Sequence, residues 1–248
     1  MHARFYAPDA DATGDLVALP TEEMEHLSRV LRLGVGAAIQ VFDGRGHEFH
    51  AVVESLTKIE ARVRIGGAVV PAPELPVALT LAPAVLKGDK MDDIVRDAVM
   101  LGAVAVQPVL TSRTEVSATI LERGRRRERW QRIALASVKQ CGRAVVPIVQ
   151  EPRSIDQVLQ GLAAGPAWSG LMLVEPGAAP GSIAVRDLEG AAPSQATLLI
   201  GPEGGWSPQE VEAGAAVCQM VTMGGITLRA DAAPSIAIAA LLARWKVL

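Results

Sequence analysis

The chain has 248 residues, half of them apolar but few aromatic, and a formal net charge of −3. That length suits one large domain or two modest ones of roughly 100–200 residues each, and the slight acidity excludes a chain that is basic all over while leaving room for a local basic patch. No apolar run reaches the roughly 20 residues needed to span a bilayer, the N-terminal stretch MHARFYAPDADATG lacks the basic-then-apolar layout of a signal peptide, and the widely separated Cys141 and Cys218 read as two buried thiols in a reducing cytoplasm.

In chain order, residues 1–70 are dominated by short segments with turn signals. RFYAP, DLVAL, AAIQVFDG, HEFHAVVESL and EARVRI read as strands, with turns expected at Asp43–Gly44 and Gly66–Gly67. One helix interrupts them, TEEMEHLSRVLRL, for which Thr21 is the expected N-cap and the following acids suit the first turn. The pattern predicts a small, barrel-like β domain. Residues 71–76 hold three prolines, which make a stiff linker.

From residue 77 the rhythm changes to strands alternating with helices. VALTLA precedes the helical GDKMDDIVRDAVMLGA, and VAVQPVL precedes a long helix around ERWQRIALASVKQCG. The series continues through VVPIV, SIDQVLQGL, LMLVE, ATLLI, SPQEVEAGAA, QMVTM and a C-terminal helix. Such alternation implies a mostly parallel sheet covered on both faces. Met91, Ile94, Val95, Ala98 and Leu101 form one helical stripe, expected to pack in the core. The strongly apolar last helix, with Ile236, Ile238, Leu241, Leu242 and Trp245, reads either as internal core or as a surface for a second copy.

The most informative stretch is LLIGPEGGWSPQEVE, residues 198–212. Ser207, Pro208 and Glu210 make a capping box with proline at the first helical position, so the glycine-rich segment joins a strand end to a helix start. In open α/β sheets that edge is where ligands sit. Gly204 and Gly205 permit positive φ or close approach of a ligand. Neither GxGxxG nor GxxxxGK[ST] is present, and the charge of Glu203 opposes a polyphosphate; a neutral or cationic ligand fits better. A tight turn that uses glycine for its geometry alone also accounts for the spacing.

Two further stretches stand out. In ITLRADAAPSIAIAALL, residues 226–242, Arg229 and Asp231 precede a helix, an arrangement that a solvated ion pair also explains. In ERGRRRERWQR, residues 122–132, six arginines against two glutamates give a local charge of +4. Arginine forks suit phosphate oxygens, and arginine and Trp130 can both stack on bases, although a charge run is also an ordinary solvated helix face. His26, Arg29 and Arg32 share a helix and could touch RNA or simply face solvent. The spacing of His47 and His50 does not put them on one strand face, and no metal site is expected.

Together these stretches resemble the RsmE family of 16S rRNA (uracil-N3)-methyltransferases, within the SPOUT class. HLSRVLRLGVGAAIQVFDGRGHEFHA is similar to the family's PUA-like barrel. KGDKMDDIVRDAVMLGAVAVQPVLTSRT and ERWQRIALASVKQCGRAVVPIV resemble the opening and the central helix of its catalytic domain. LLIGPEGGWSPQEVE resembles its cofactor loop, and MGGITLRADAA stands where the family has a glycine-proline-arginine lead-in followed by Leu-Arg-Thr-Glu-Thr-Ala. Asp231 therefore replaces a glutamate, Ala232 a threonine, and Gly225 and Ile226 a proline and an arginine.

The resemblance implies a PUA-like RNA-binding domain at 1–70 and a SPOUT methyltransferase domain with a trefoil knot at 77–248. The cofactor it implies is S-adenosyl-L-methionine, held by backbone around Leu199, Ile200, Gly201, Glu203, Gly204, Gly205 and Leu228. It implies a cytoplasmic homodimer that needs no metal or membrane and methylates N3 of one uridine in 16S rRNA of the assembled small ribosomal subunit. On that reading Arg229 stabilises the developing imide anion or fixes the base, and Asp231 accepts a proton or orients Arg229. His26, Arg29, Arg32, Arg123, Arg125, Arg126, Arg127 and Arg129 are the candidate rRNA contacts. An RNA-binding assembly factor with weakened activity, or a methyltransferase for another base, stays open at this point.

Overall fold

The computed structural model describes residues 3–165 and 169–247. The chain divides into two compact units, residues 1–74 with 135–146, and residues 75–134 with 147–248.

The first unit carries β1 (Arg4–Tyr6), β2 (Leu16–Ala18), α1 (Thr21–Glu25), β3 (Ala38–Phe42), β4 (Glu48–Leu56) and β5 (Ala61–Val69), in one sheet ordered β1-β3-β4-β5-β2. Only the β1–β3 pairing is parallel; β3–β4, β4–β5 and β5–β2 are antiparallel. The alternation in β4 and β5 buries Phe49, Ala51, Val53, Ala61, Val63 and Ile65 on one face, where they pack with Phe5, Leu27 and Ile39. Residues 135–146, which the sequence places with the later helices, cluster with this sheet. The Arg4 guanidinium donates to the carbonyls of Val138, Lys139 and Arg143 while pairing with Glu48, and Lys139 pairs with Glu23 at 2.6 Å.

Two expectations for this unit are corrected. Gly66 and Gly67 form no turn. They lie inside β5, opposite a register shift in β4, where a Cβ at Gly66 would come within 3.1 Å of the His50 carbonyl oxygen; the glycines serve a bulge. Thr21 is not an N-cap. Pro20 takes that position in extended conformation without a side-chain cap, and after Glu25 the helix widens into a π-helical turn, His26–Val30.

The second unit is built on a seven-stranded parallel sheet; of the elements that follow, residues 135–141 of the long helix belong to the first unit. Its elements follow in chain order as β6 (Ala78–Pro83), α2 (Lys90–Met100), β7 (Ala105–Val106), β8 (Val109–Leu110), α3 (Ala118–Arg123), α4 (Arg126–Cys141), β9 (Ile148–Val149), β10 (Arg153–Ser154), α5 (Ile155–Ala163), β11 (Gly170–Leu173), β12 (Ile183–Ala184), β13 (Gln195–Ile200), α6 (Pro208–Ala215), β14 (Cys218–Thr222) and α7 (Ala233–Arg244). The strand order is β12-β14-β11-β13-β6-β7-β9, and β8 pairs with β10 apart from it. VAVQPVL, read as one strand, is two, because Pro108 has no N–H to continue the ladder.

Strand β13 lies between β11 and β6, with Ile200 level with Leu173 and Pro83. Ala196, Leu198, Leu199 and Ile200 are buried in it. Chain order runs outward from β6 through β7 to β9 and then returns to β11 on the other side of β13. A reversal of this kind opens a crevice at the carboxyl ends of the strands. On α2, Met91, Ile94, Val95 and Ala98 are buried as the stripe requires, and Leu101 ends half-exposed. On α7, Ile238, Leu241 and Leu242 are fully buried core, whereas Ile236 is exposed.

Candidate functional site

The glycine-rich segment leaves the C-terminal end of β13 and enters α6. The Ser207 hydroxyl accepts from the Glu210 N–H, and the Glu210 carboxylate accepts from the Ser207 N–H, forming the full capping box. The Gly205 N–H donates to the Pro202 carbonyl at 2.9 Å, closing a turn in which Gly205 sits at φ +68°. Trp206 is turned inward, and its indole Nε1 donates to the Leu173 carbonyl at 2.8 Å. The loop is thereby stapled to β11.

Beneath this turn lies a cavity of about 410 Å³, within the range of roughly 300–1,000 Å³ usual for small-molecule sites. Leu173 and Val174 from the end of β11 and Ile200 and Gly201 from β13 form one wall. Met223 and residues 226–231 after β14 form the opposite one. The strand ends therefore converge on a single concave site within the second unit.

Of the residues singled out in the sequence, Ile200, Gly201, Glu203, Gly205, Leu228, Arg229 and Asp231 line this cavity. Leu199 does not; it is fully buried in the β13 core. Gly204 does not either. A Cβ built there would lie 3.4 Å from the Arg113 side chain, so this glycine faces the arginine rather than the cavity.

Four charged groups at the cavity form two pairs. Lys90, at the start of α2, donates to Glu203 at 2.8 Å. Burial alone would raise the Glu203 carboxyl, but the Lys90 ammonium and a backbone hydrogen bond hold it below its ordinary value. Arg229 grips Asp231 with both ends of its fork, Nε to Oδ1 at 3.1 Å and Nη2 to Oδ2 at 2.9 Å. That hydrogen bonding lowers the Asp231 carboxyl and raises the Arg229 guanidinium. A lowered carboxyl with both oxygens occupied is a poor proton acceptor and a good orienter.

Sequence reasoning missed three contributors. Lys90 is one. Arg113 is another; its Nη1 donates to the carbonyls of Gly204 and Trp206. The third is Ser112, whose N–H donates to Glu210 Oε1 at 2.7 Å. Arg113 and Ser112 lie in LTSRT, and nothing local in that segment signals that it buttresses a loop some 90 residues later.

The arginine run divides. Arg129 pairs with Asp92 and Asp89, Arg126 lies 3.7 Å from Asp89, and Arg127 donates to the Val149 carbonyl and pairs with Glu151. Arg123, Arg125 and Arg132 are exposed and have no partner among the described residues. Trp130 is only 2% exposed, which corrects its reading as a base-stacking platform. In the first unit, Arg29 is exposed and pairs with Glu25, Arg32 is exposed at φ +53°, and the His26 ring packs edge-on against Phe5.

Cys218 is buried and Cys141 half-buried. Among the described residues no cluster of His, Cys, Asp or Glu is arranged to hold a metal ion, and no helix is long and apolar enough to cross a membrane. His47 instead bonds Asp43 at 2.8 Å.

Comparison with known proteins places this geometry. Residues 73–242 match the family described as RNA methyltransferase domain, and residues 19–66 match the RNA methyltransferase PUA domain. A ribosomal RNA small subunit methyltransferase E from Synechocystis is 35% identical over 90% of this chain and 71% of its own. The crystal structure of a ribosomal RNA small subunit methyltransferase E from Neisseria gonorrhoeae bound to S-adenosyl methionine is 31% identical, with a TM-score of 0.86 over 99% of this chain and 98% of that one. A methyltransferase from Legionella pneumophila in complex with the same cofactor is 28% identical, with a TM-score of 0.87 over 98% of each chain. With its PUA domain, its parallel sheet and a glycine turn over a cavity at the strand ends, the chain belongs to the RsmE family of ribosomal RNA small subunit methyltransferases.

Proposed function

We propose that this protein uses S-adenosyl-L-methionine to methylate N3 of a uridine in 16S rRNA of the small ribosomal subunit. The observation that carries this reading is the cavity under the Pro202–Gly205 turn, in a chain whose family relatives bind that cofactor. The site suits the molecule. Its volume is adequate, and an apolar wall of Leu173, Val174 and Ile200 can cover an adenine.

When bound, the cofactor supplies an activated methyl group. What remains for the protein is alignment and charge. Ile200, Gly201, Gly205 and Leu228 form the binding walls, with Glu203 anchored to Lys90 at the rim. Arg229 presents a cation to the uracil imide and stabilises the anion left when N3 loses its proton. Asp231 acts on Arg229 rather than on the base, because its two oxygens are committed to the guanidinium. The exposed arginines of the 123–132 run and Arg29 and Arg32 of the PUA-like unit bind phosphate. Leu199 packs in the core of β13, and Gly204 offers Arg113 its carbonyl.

We further propose a cytoplasmic homodimer, a knotted C-terminal chain path, and domain limits near residues 70 and 77. Mass spectrometry of 16S rRNA from a deletion strain tests the activity directly. Loss of one N3-methyluridine, restored by the gene, is the expected result; an unchanged modification pattern would sink it. Calorimetry with S-adenosylmethionine separates a failed substrate assignment from a failed cofactor assignment.

A further inference from the structure

Five charged side chains line the cavity, and only four are paired. Glu203 is bound to Lys90, and Asp231 to Arg229. The fifth, Glu175, has no ion-pair or hydrogen-bond partner for its carboxylate among the described residues. The described side chains that line the cavity, Lys90 and Arg229 against Glu175, Glu203 and Asp231, therefore carry a net charge of −1.

Its placement follows from the strand register. Leu173 is level with Ile200 of β13 and with Val221 of β14, and the Val174 N–H still donates to the Val221 carbonyl at 2.9 Å. Glu175 is the first residue past that last bond, at the carboxyl edge of the sheet. Its carbonyl accepts from the Ala178 N–H at 3.0 Å, which fixes the turn it begins. The carboxylate lies over Gly205; a Cβ there would be 3.6 Å from Glu175 Oε1. With φ +68° this position disfavours most side chains, so the turn itself places none against the carboxylate, which is exposed. The Arg113 guanidinium is close to the same glycine and keeps its charge while its Nη1 donates to the Gly204 and Trp206 carbonyls, but it forms no ion pair with Glu175 among the described residues and does not line the cavity.

Glu175 is exposed, and its side chain is bonded to no other element among the described residues, which leaves its charge as what it can contribute to a ligand. Resting on the cofactor reading above, we propose that Glu175 is a specificity-determining residue, whose charge favours the sulfonium cofactor over the neutral thioether left after transfer. In that transfer the S–CH3 bond breaks with its electron pair staying on sulfur, a bond forms from uracil N3 to the methyl carbon, and the N3 proton leaves to solvent. The ligand in the cavity loses one positive charge, and the attraction to Glu175 falls with it. The residue thus helps load the reactive form and release the spent one.

The test is calorimetry of wild type, Glu175→Gln and Glu175→Asp with S-adenosylmethionine and S-adenosylhomocysteine, at low and high salt. Wild type should prefer the sulfonium form. Glu175→Gln should cut that preference roughly fivefold, the effect of one charge a few ångströms away in a wet site, while Glu175→Asp should keep most of it. Salt should shrink the preference in wild type and leave it flat in Glu175→Gln. An unchanged ratio in Glu175→Gln overturns the proposal, including the case where both ligands weaken equally because the carboxylate serves the α-ammonium they share. If wild type binds neither ligand, the cofactor reading itself fails and this inference with it. Melting temperatures without ligand should agree among the three proteins, which excludes misfolding as the cause.

Discussion

The Nη1 of Arg113 lies 2.6 Å from the carbonyl oxygen of Gly204, a residue 91 positions later in the chain, and 3.1 Å from that of Trp206. A turn rich in glycine has few side chains with which to hold itself, and the entropy of fixing it must be offset from outside. Arg113 does this without lining the cavity. Arg113→Ala should therefore lower affinity for S-adenosylmethionine by about tenfold, on the scale of one charge-assisted hydrogen bond, with a small change in melting temperature. Arg113→Lys should recover part of the loss, since an ammonium can reach one carbonyl. Calorimetric affinities equal to wild type in Arg113→Ala would show that the turn holds itself.

The same segment is tied down by Glu210, whose carboxylate accepts from the N–H groups of Ser112 and Ser207. Burial would raise this carboxyl, but those backbone hydrogen bonds and the Ser207 hydroxyl outweigh it and hold it below its ordinary value near 4.5. A lowered folded-state value means that the contribution to stability is complete above the ordinary value and is lost as pH falls through the lower one. Glu210→Gln should accordingly destabilise the protein at neutral pH and flatten the acid side of its stability curve below about pH 4.5. Urea unfolding across that range checks it. Curves that stay parallel down to the acid limit would remove Glu210 from the account.

How much of this could be read beforehand depended on how local the cause was. Strands β3, β4 and β5 and helix α2 follow from alternation or a helical stripe within their own residues, and the Ser207 capping box from four adjacent ones. What sequence patterning missed was set by partners far away. Pairing of Lys139 with Glu23, and of Arg4 with the carbonyls of residues 138, 139 and 143, draws the end of α4 toward the first sheet. Arg113, Lys90 and Glu175 matter only because the parallel register brings three strand ends and the start of α2 to one edge. Trp130 misled for a related reason. Its neighbours are charged, yet it turns inward, while Arg129 beside it is held by Asp89 and Asp92.

That last contrast divides the arginine run into two functional classes. Arg126, Arg127 and Arg129 are engaged with Asp89, Glu151 and Asp92, and their removal should act mainly on stability. Arg123, Arg125 and Arg132 are exposed without partners among the described residues and are available for phosphate. The triple variant of Arg123, Arg125 and Arg132 to Ala should weaken rRNA binding and reduce the salt slope by roughly 0.7–0.9 per lost contact, leaving cofactor affinity unchanged. The triple variant of Arg126, Arg127 and Arg129 should lower the melting temperature more and the salt slope less. The reverse ordering in filter binding across a salt series would reject the division.

Cys218 tests the core near β11. Burial pushes its thiol up to about 11, so almost no thiolate exists near neutrality. At about pH 8, where about a quarter of a free thiol is ionised, alkylation of the native protein should therefore modify the half-buried Cys141 first and leave Cys218 intact until urea is added. Simultaneous loss of both thiols by mass spectrometry would mean that this part of the sheet opens readily.

The Arg229–Asp231 pair decides between two roles for one carboxylate. If Asp231 took the imide proton, Asp231→Asn would abolish the acid limb of the pH–rate profile, because the titrating base would be gone. The geometry favours the other outcome. Both oxygens of Asp231 accept from the guanidinium, whose side chain is otherwise largely exposed and free to swing. Asp231→Asn keeps the shape of the carboxylate but offers only one acceptor, so Arg229 loses its second bond and its fixed direction. Turnover on saturating small subunits should fall about 100-fold, the scale of a misplaced catalytic group, with the affinity for RNA unchanged and the pH dependence keeping its form. Arg229→Ala should fall at least as far, and adding Asp231→Asn to it should cost little more, because the carboxylate would have nothing left to orient. A double variant whose losses multiply would show that Asp231 acts on the uridine independently, and would return it to the role of base.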